Sequence, residues 1–268
     1  MATTDKNFWH RLSKPIMVLA PMADVTDAAF RRIIAKYGKP DVTWTEFVSA
    51  DGLFLGGKEA LMRDLWYDES ERPIVAQFFS PNPERMKRAA ELAVELGFDG
   101  IDLNMGCPDK SVCKQGAGSA MIRTPELAQE VIRATMEGAA KNAAGSLPVS
   151  IKTRAGYSSD AELDDWMTAL LQTEPAAITV HARTKKDMSK VPARWELLSR
   201  TVELRDALSP ETLILGNGDV TSLEDARRKV QETGVDGAMI GRGIFGNPWF
   251  FDPEKDASTV SIEEKLRV

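Results

Sequence analysis

Residues 74–108, IVAQFFSPNPERMKRAAELAVELGFDGIDLNMGCP, decide the fold. They open at Ile74 with an apolar run that does not alternate with polar residues, the mark of a strand buried on both faces. Pro81-Asn82-Pro83 then opens an amphipathic stretch, ERMKRAAELAVELG, which Gly97 stops. A second apolar run begins at Gly100 and ends in the turn Asn104-Met105-Gly106-Cys107-Pro108. The segment reads as strand, crossover helix and parallel strand.

The same unit repeats in both directions. Apolar runs begin near Ile16 (IMVLAPM), Val42 (VTWTEFVSA), Val149 (VSIKTRAG), Ile178 (ITVHART), Leu213 (LILGNGDV) and Gly237 (GAMIGRGIF). Helical patterns lie between them. Thr26 caps DAAFRRIIAKYG, which Gly38 ends; Thr124-Pro125 opens ELAQEVIRATMEGAAKNA; Asp160 opens AELDDWMTALLQTE; Ser222 opens LEDARRKVQETG. Eight strands, each followed by a helix, in about 250 residues predict an α/β chain folded as a (β/α)8 TIM barrel. An open doubly wound sheet would favour a glycine-rich turn after its first strand. That strand ends instead in Ala20-Pro21-Met22-Ala23. Residues 1–250 are read as the barrel. Residues 251–268 are read as the start of a following helical segment cut short, because Ser261 and Glu264 form an S-x-x-E capping box one turn before Val268.

Composition bounds the function. The chain has 268 residues, 43% of them hydrophobic, and a net charge of −6. That is enough to bury a large core. Cys107 and Cys113 are too few and too close for a disulfide framework, which favours a reducing cytoplasm. The opening MATTDKNFWHRLSK carries no apolar signal core. No apolar run approaches the roughly 18 residues of a membrane-spanning helix. A nucleic-acid partner would need a local basic patch on so acidic a chain.

Barrels of this kind do their chemistry at the C-terminal ends of the strands. Those ends carry Pro21 and Met22, Gln77, Asn104 and Cys107, Lys152 and Arg154, His181 and Arg183, Asn217-Gly218-Asp219, and Gly241-Arg242-Gly243. The last two groups suit a phosphate cradle, since glycines let backbone N–H groups approach the oxygens. Lys152, in a buried strand, must reach a cavity or be desolvated, and at the mouth it can stabilise an anion. His181 lacks the ligand-spaced partners of a metal site, so no metal is expected. Cys107 sits where a protonated thiol can act as a general acid, while Cys113 reads as a bystander.

Taken together these residues resemble the tRNA-dihydrouridine synthases. The matching stretches are APMADVTDAAFRR, QFFSPNPE, GIDLNMGCPDKSVCKQGAGSAM, VSIKTRAGY, ITVHARTKK, ILGNGDV and GAMIGRGIFGNPWFF, in family order from Ala20 to Phe251. The resemblance implies an FMN-binding barrel with NADPH as reductant and tRNA as substrate. Pro21, Met22 and Ala23 would line the flavin ring, Gln77 and Lys152 would hydrogen-bond its polar edge, and His181 would also contact the flavin. Asn217, Gly218, Asp219, Gly241 and Arg242 would hold its phosphate. Hydride would pass from flavin N5 to C6 of a uracil, and Cys107 would deliver the proton to C5. Asn104 would orient the uracil, with Arg154, Arg183, Lys185 and Lys186 as further substrate contacts. Arg183, Lys185, Lys186, Lys190 and Arg194 form the basic patch that tRNA requires. Three rivals stay open. One is a reductase of a free pyrimidine, resembling dihydroorotate dehydrogenases. Another is an inactive RNA-binding fragment, and the third an aldolase-type barrel with a Schiff base on Lys152.

Overall fold

The computed structural model describes residues 7–140, 146–255 and 258–265. Its eight strands are β1 (Ile16–Leu19), β2 (Thr43–Ser49), β3 (Ile74–Phe79), β4 (Gly100–Met105), β5 (Val149–Gly156), β6 (Ala177–Thr184), β7 (Leu213–Asn217) and β8 (Gly237–Ile240). All neighbours are parallel, in the order β1-β8-β7-β6-β5-β4-β3-β2. A parallel bridge between Val18 and Val42 closes the ring. There the Leu19 N–H donates to the Val42 carbonyl at 3.2 Å, and the Asp41 N–H to that of Met17 at 2.9 Å. The predicted TIM barrel is the observed one.

The helices are α1 (Ala28–Tyr37), α2 (Ala50–Phe54), α3 (Lys58–Leu61), α4 (Pro83–Glu95), α5 (Lys110–Lys114), α6 (Pro125–Ala139), α7 (Leu163–Leu171), α8 (Leu197–Leu208), α9 (Leu223–Thr233) and α10 (Ile262–Lys265). Asn82 caps α4 through the Arg85 N–H, and Ser222 caps α9 through the Asp225 N–H. The end of the stretch that continues α6, residues 141–145, lies outside the described residues.

Local details depart from the pattern. The cap of α1 is Asp27, which accepts from the Phe30 N–H at 2.8 Å. Thr26 instead turns back and closes a hydrogen-bonded loop with Met22, holding the end of β1 in place. After β2 the chain does not form one long helix. Gly56, at φ +112°, separates α2 from α3, and two 3-10 turns complete the connection. After β8 comes a 3-10 turn, Arg242–Ile244, and the next helix is α10. Ser261 caps α10 through the Glu264 N–H at 3.1 Å. Helix α8 was not read from the sequence: its pattern is hidden behind the basic loop 185–194.

The barrel has a closed end and an open one. Phe8 and Trp9, in a 3-10 turn before β1, pack with Ile16, Val75, Ala177 and Leu213, which begin or nearly begin their strands. Trp9 lies 6.0 Å from Trp44. This apolar plug fills the N-terminal end and leaves the polar strand termini to line the other.

Candidate active site

At the C-terminal end of the strands a cleft of about 630 Å³ opens between β1 and β5–β8. Eleven of the residues singled out from sequence meet on its wall: Pro21, Met22, Lys152, His181, Arg183, Asn217, Gly218, Asp219, Gly241, Arg242 and Gly243. Register explains the convergence. Arg154 pairs with His181, and His181 with Asn217, across β5, β6 and β7, so these residues share one level of the barrel. Ala23 lies just beyond Met22 and is exposed, outside the lining.

The turn after β7 is tightly built. Gly218 stands at φ +124°, and a Cβ there would lie 2.8 Å from that of Ala193 and 3.2 Å from the His181 ring. Gly216 backs onto Trp195, whose ring would meet a Cβ at 2.2 Å. The Trp195 Nε1–H donates to the Gly218 carbonyl at 2.7 Å. Asp219 follows in the left-handed region at φ +49°. Trp195 thus serves as a template for the turn, and the glycines are what let it approach.

Charge on the cleft wall is mostly positive. Asn217 donates Nδ2–H to the Met239 carbonyl at 2.8 Å, which leaves its Oδ1 facing Lys152 Nζ at 3.4 Å. Burial and the nearby Arg154 lower the Lys152 ammonium to about 8, against the pull of Asp102. Burial, helped by Arg154, Lys152 and Arg183, keeps His181 well below its ordinary range. The imidazole is therefore neutral. Because Arg183 only donates, the 3.1 Å contact makes His181 Nε2 the acceptor and places its proton on Nδ1. Arg183 is 3% exposed; it donates to the Val191 carbonyl and pairs with Asp219 at 2.5 Å. Burial tends to raise the Asp219 carboxyl, but Arg183, the Ala193 N–H and Arg242 hold it below its usual range.

The β3–β4 flank is different. Gln77, wholly buried, donates to Asp102 at 2.7 Å and accepts from Asn104 Nδ2 at 3.2 Å. Asn104 Oδ1 accepts from the N–H groups of Gly106 and Cys107, at 3.2 and 2.9 Å. Arg154 donates to the carbonyls of Gly106, Thr184 and Met188, so it knits three strand ends together. Burial lowers its guanidinium to about 10. Cys107 is half-buried, and that burial raises its thiol. Cys113 contacts Ser119 Oγ at 3.4 Å and the Cys107 carbonyl at 3.7 Å.

The basic patch is smaller than its composition suggests. Arg183 is turned inward, and Arg194 pairs with Asp160 and Asp187. Lys186 and Lys190 are exposed; Lys185 is half-buried, with its ammonium 5.0 Å from the centre of the Tyr157 ring. Arg123 approaches the same ring at 4.4 Å.

A profile of the family described as dihydrouridine synthase (Dus) matches residues 18–268, which include all of the barrel from the middle of β1 onward. The chain belongs to the dihydrouridine synthase family. Over 265 residues it is 42% identical to a probable tRNA-dihydrouridine synthase 2 of Bacillus subtilis (strain 168). It is 41% identical to a probable tRNA-dihydrouridine synthase of Staphylococcus aureus (strain COL). Each match covers 98% of this chain and 79% of the relative. Among solved structures, histamine dehydrogenase from Rhizobium sp. 4-9 superposes with a TM-score of 0.62 at 15% identity, over 87% of this chain and 44% of that one. A 2-naphthoyl-CoA reductase superposes with 0.62 at 10%, over 88% and 49%. These distant likenesses establish the barrel.

Sequence reasoning missed Ser189 and Thr221, which also line the cleft. Thr221 lies two residues past Asp219 and could have been reached by extending the predicted cradle. Ser189 comes from the loop after β6, and only that loop's return over β7 brings it in. No helix among the described residues is long and apolar enough to cross a membrane.

Proposed function

We propose that this chain reduces the C5–C6 double bond of uridine in tRNA, using flavin mononucleotide bound in the cleft and NADPH as reductant, in the cytoplasm. The observation that carries the reading is the family match running through the whole barrel. It does not favour a free-pyrimidine reductase.

The cleft suits an anionic, phosphate-bearing group. Lys152, Arg183 and Arg242 face it against the carboxylate of Asp219, which the two arginines already engage. The turn at Gly218 leaves no room for a side chain. Asn217, Gly218, Asp219, Gly241 and Arg242 would hold the phosphate. Pro21 and Met22 would lie along the ring with Ala23 at its rim, Lys152 would meet its polar edge and neutral His181 would contact it; Gln77, wholly buried with its amide taken by Asp102 and Asn104, would stand behind that edge. The flavin, when bound, supplies the hydride for C6 of the uracil.

The chain's own part is the proton. Burial keeps the Cys107 thiol protonated, as an acid must be before it acts. Its S–H bond breaks as a C–H bond forms at C5, and the thiolate left behind regains a proton from water. Lys152 and Arg154 interact favourably with that thiolate. Asn104 orients the uracil. Lys185 and Lys186, with Lys190, offer phosphate contacts at the rim.

The test is direct. The purified protein is supplied with FMN, NADPH and an unmodified tRNA transcript, and the digested nucleosides are read by mass spectrometry. Dihydrouridine, heavier than uridine by one H₂, is the expected product. NADPH consumption by the flavin-loaded protein with no dihydrouridine would overturn the reading.

A further inference from the structure

We propose that Asp102 is a positioning residue for the reaction, the charged end of a one-way chain of hydrogen bonds that runs through Gln77 and braces Asn104 against the Cys107 backbone. The proposal rests on the reading of Cys107 as the proton donor and Asn104 as the uracil contact.

Asp102 lies on β4 with no exposed surface. Its Oδ1 accepts from Ser150 Oγ at 2.5 Å and its Oδ2 from Gln77 Nε2 at 2.7 Å. An ionised carboxylate can only accept. The Gln77 amide is therefore forced to point Nε2 at Asp102 and Oε1 at Asn104. Asn104 must answer with Nδ2, at 3.2 Å. Its Oδ1 is then turned to the N–H groups of Gly106 and Cys107. Asp102, which only accepts, fixes the Gln77 amide from one end, and the Gly106 and Cys107 N–H groups, which only donate, fix Asn104 from the other, so both ends impose the same polarity. The register places Gln77 opposite Asp102 on β3 and β4, and Asn104 opposite Lys152 on β4 and β5. The polarity has a chemical consequence. With Oδ1 occupied by two backbone donors, Asn104 has its second N–H left to offer, so it selects a carbonyl oxygen of the base rather than an N–H.

A merely structural role and a positioning role make opposite predictions for the isosteric variant. Burial raises the Asp102 carboxyl to about 6, while Ser150, Gln77 and Lys152 pull it down. At neutral pH the folded chain therefore carries the ionised form at a cost, which a neutral amide avoids. Asp102→Asn should melt at the same temperature as the parent or higher. Its carbonyl can still accept from Gln77, but its amide group can take the same place, so Gln77 loses its fixed polarity and braces Asn104 less firmly, while the Gly106 and Cys107 N–H groups still hold Asn104 Oδ1.

The experiment compares the parent, Asp102→Asn and Asp102→Ala in tRNA turnover, thermal melting and alkylation of Cys107 by iodoacetamide, mapped by peptide mass spectrometry. Expected is a kcat several-fold lower for Asn and tenfold or more lower for Ala, with KM for tRNA unchanged. Stability should not follow that order between Asp and Asn. Cys107 alkylation should rise several-fold in Ala as its backbone anchor loosens, with Cys113 as internal control. Unchanged kcat in Ala, or kcat that tracks melting temperature through the series, would overturn the proposal. If the parent makes no dihydrouridine, the proposed function fails. Alkylation then decides the chain by itself, and an unaltered Cys107 rate in Ala refutes it.

Discussion

The two sides of the barrel mouth are built from different materials. The β6–β8 side sets Arg183 and Arg242 around Asp219. The β3–β4 side sets two amides, Gln77 and Asn104, behind a thiol. Charges act at a distance and suit holding an anion. Amides act only at contact and in one direction, and suit aiming a base at a proton donor. Lys152 stands between the two sides, touching Asn217 on one and level with Asn104 on the other. Under the proposed function the barrel mouth would separate holding from proton delivery, and each prediction below is a way to test that separation.

The largest effect should come from the thiol. Cys107→Ala should lower dihydrouridine formation by about 10²-fold or more, the range for a lost general acid, while the flavin stays bound. Loss of flavin absorbance on dialysis of this variant would break the separation. Next comes the partner of a buried cation. Asp219→Asn should cost about 2 kcal/mol in urea unfolding, because Arg183 stays buried without its carboxylate; the half-open position of Asp219 keeps the cost below that of a fully buried pair. An unchanged midpoint would show that the arginine does not depend on it.

Lys152 yields a smaller, pH-dependent effect. Its pKa falls from 10.5 to about 8 on folding, so between these values the folded chain binds fewer protons than the unfolded one. The flavin-free protein should therefore gain stability through this group as pH rises from about 8 to 10.5, by less than the ceiling of about 3 kcal/mol that the full shift sets, since the side chain is only half-buried. Subtracting the pH–stability curve of Lys152→Met isolates that gain, and a flat difference would remove it. The smallest effect belongs to the rim. Lys186→Ala should reduce the salt dependence of tRNA binding by about 0.7 in the log–log slope for each phosphate that the lysine neutralises, without altering kcat. An unchanged slope would take Lys186 out of the RNA path.

Much of this molecule is legible in order of sequence. The all-apolar runs mark strands because both faces of a parallel sheet are covered, and β5 begins at Val149 and ends at Gly156 as the run VSIKTRAG does. The connections are less legible where packing overrules local preference. Asp27 and Thr26 are both capable caps, and the choice follows from Thr26 being needed at Met22. The run after β2 breaks into short helices at Gly56, and the one after β8 gives way to a 3-10 turn. In the site, Lys152, His181 and the Gly218 turn could be named because strand ends converge in any barrel. Arg154 and Arg183 could be named but not assigned, since their partners come from Gly106, Thr184, Met188, Val191 and Asp219.

The sequence by itself determined the barrel, the level at which its chemistry gathers and the residue types available there, because apolar periodicity and turn chemistry are local properties of the chain. Only the tertiary structure decided which of those residues are spent on one another. Asp102 facing Gln77, Arg194 cancelled by Asp160 and Asp187, and Ser189 folded over the cleft all depend on register and loop return between segments tens of residues apart. Such pairings leave no periodic trace, since a hydrogen bond or ion pair needs the right atom within about 3 Å and is indifferent to where in the chain that atom began.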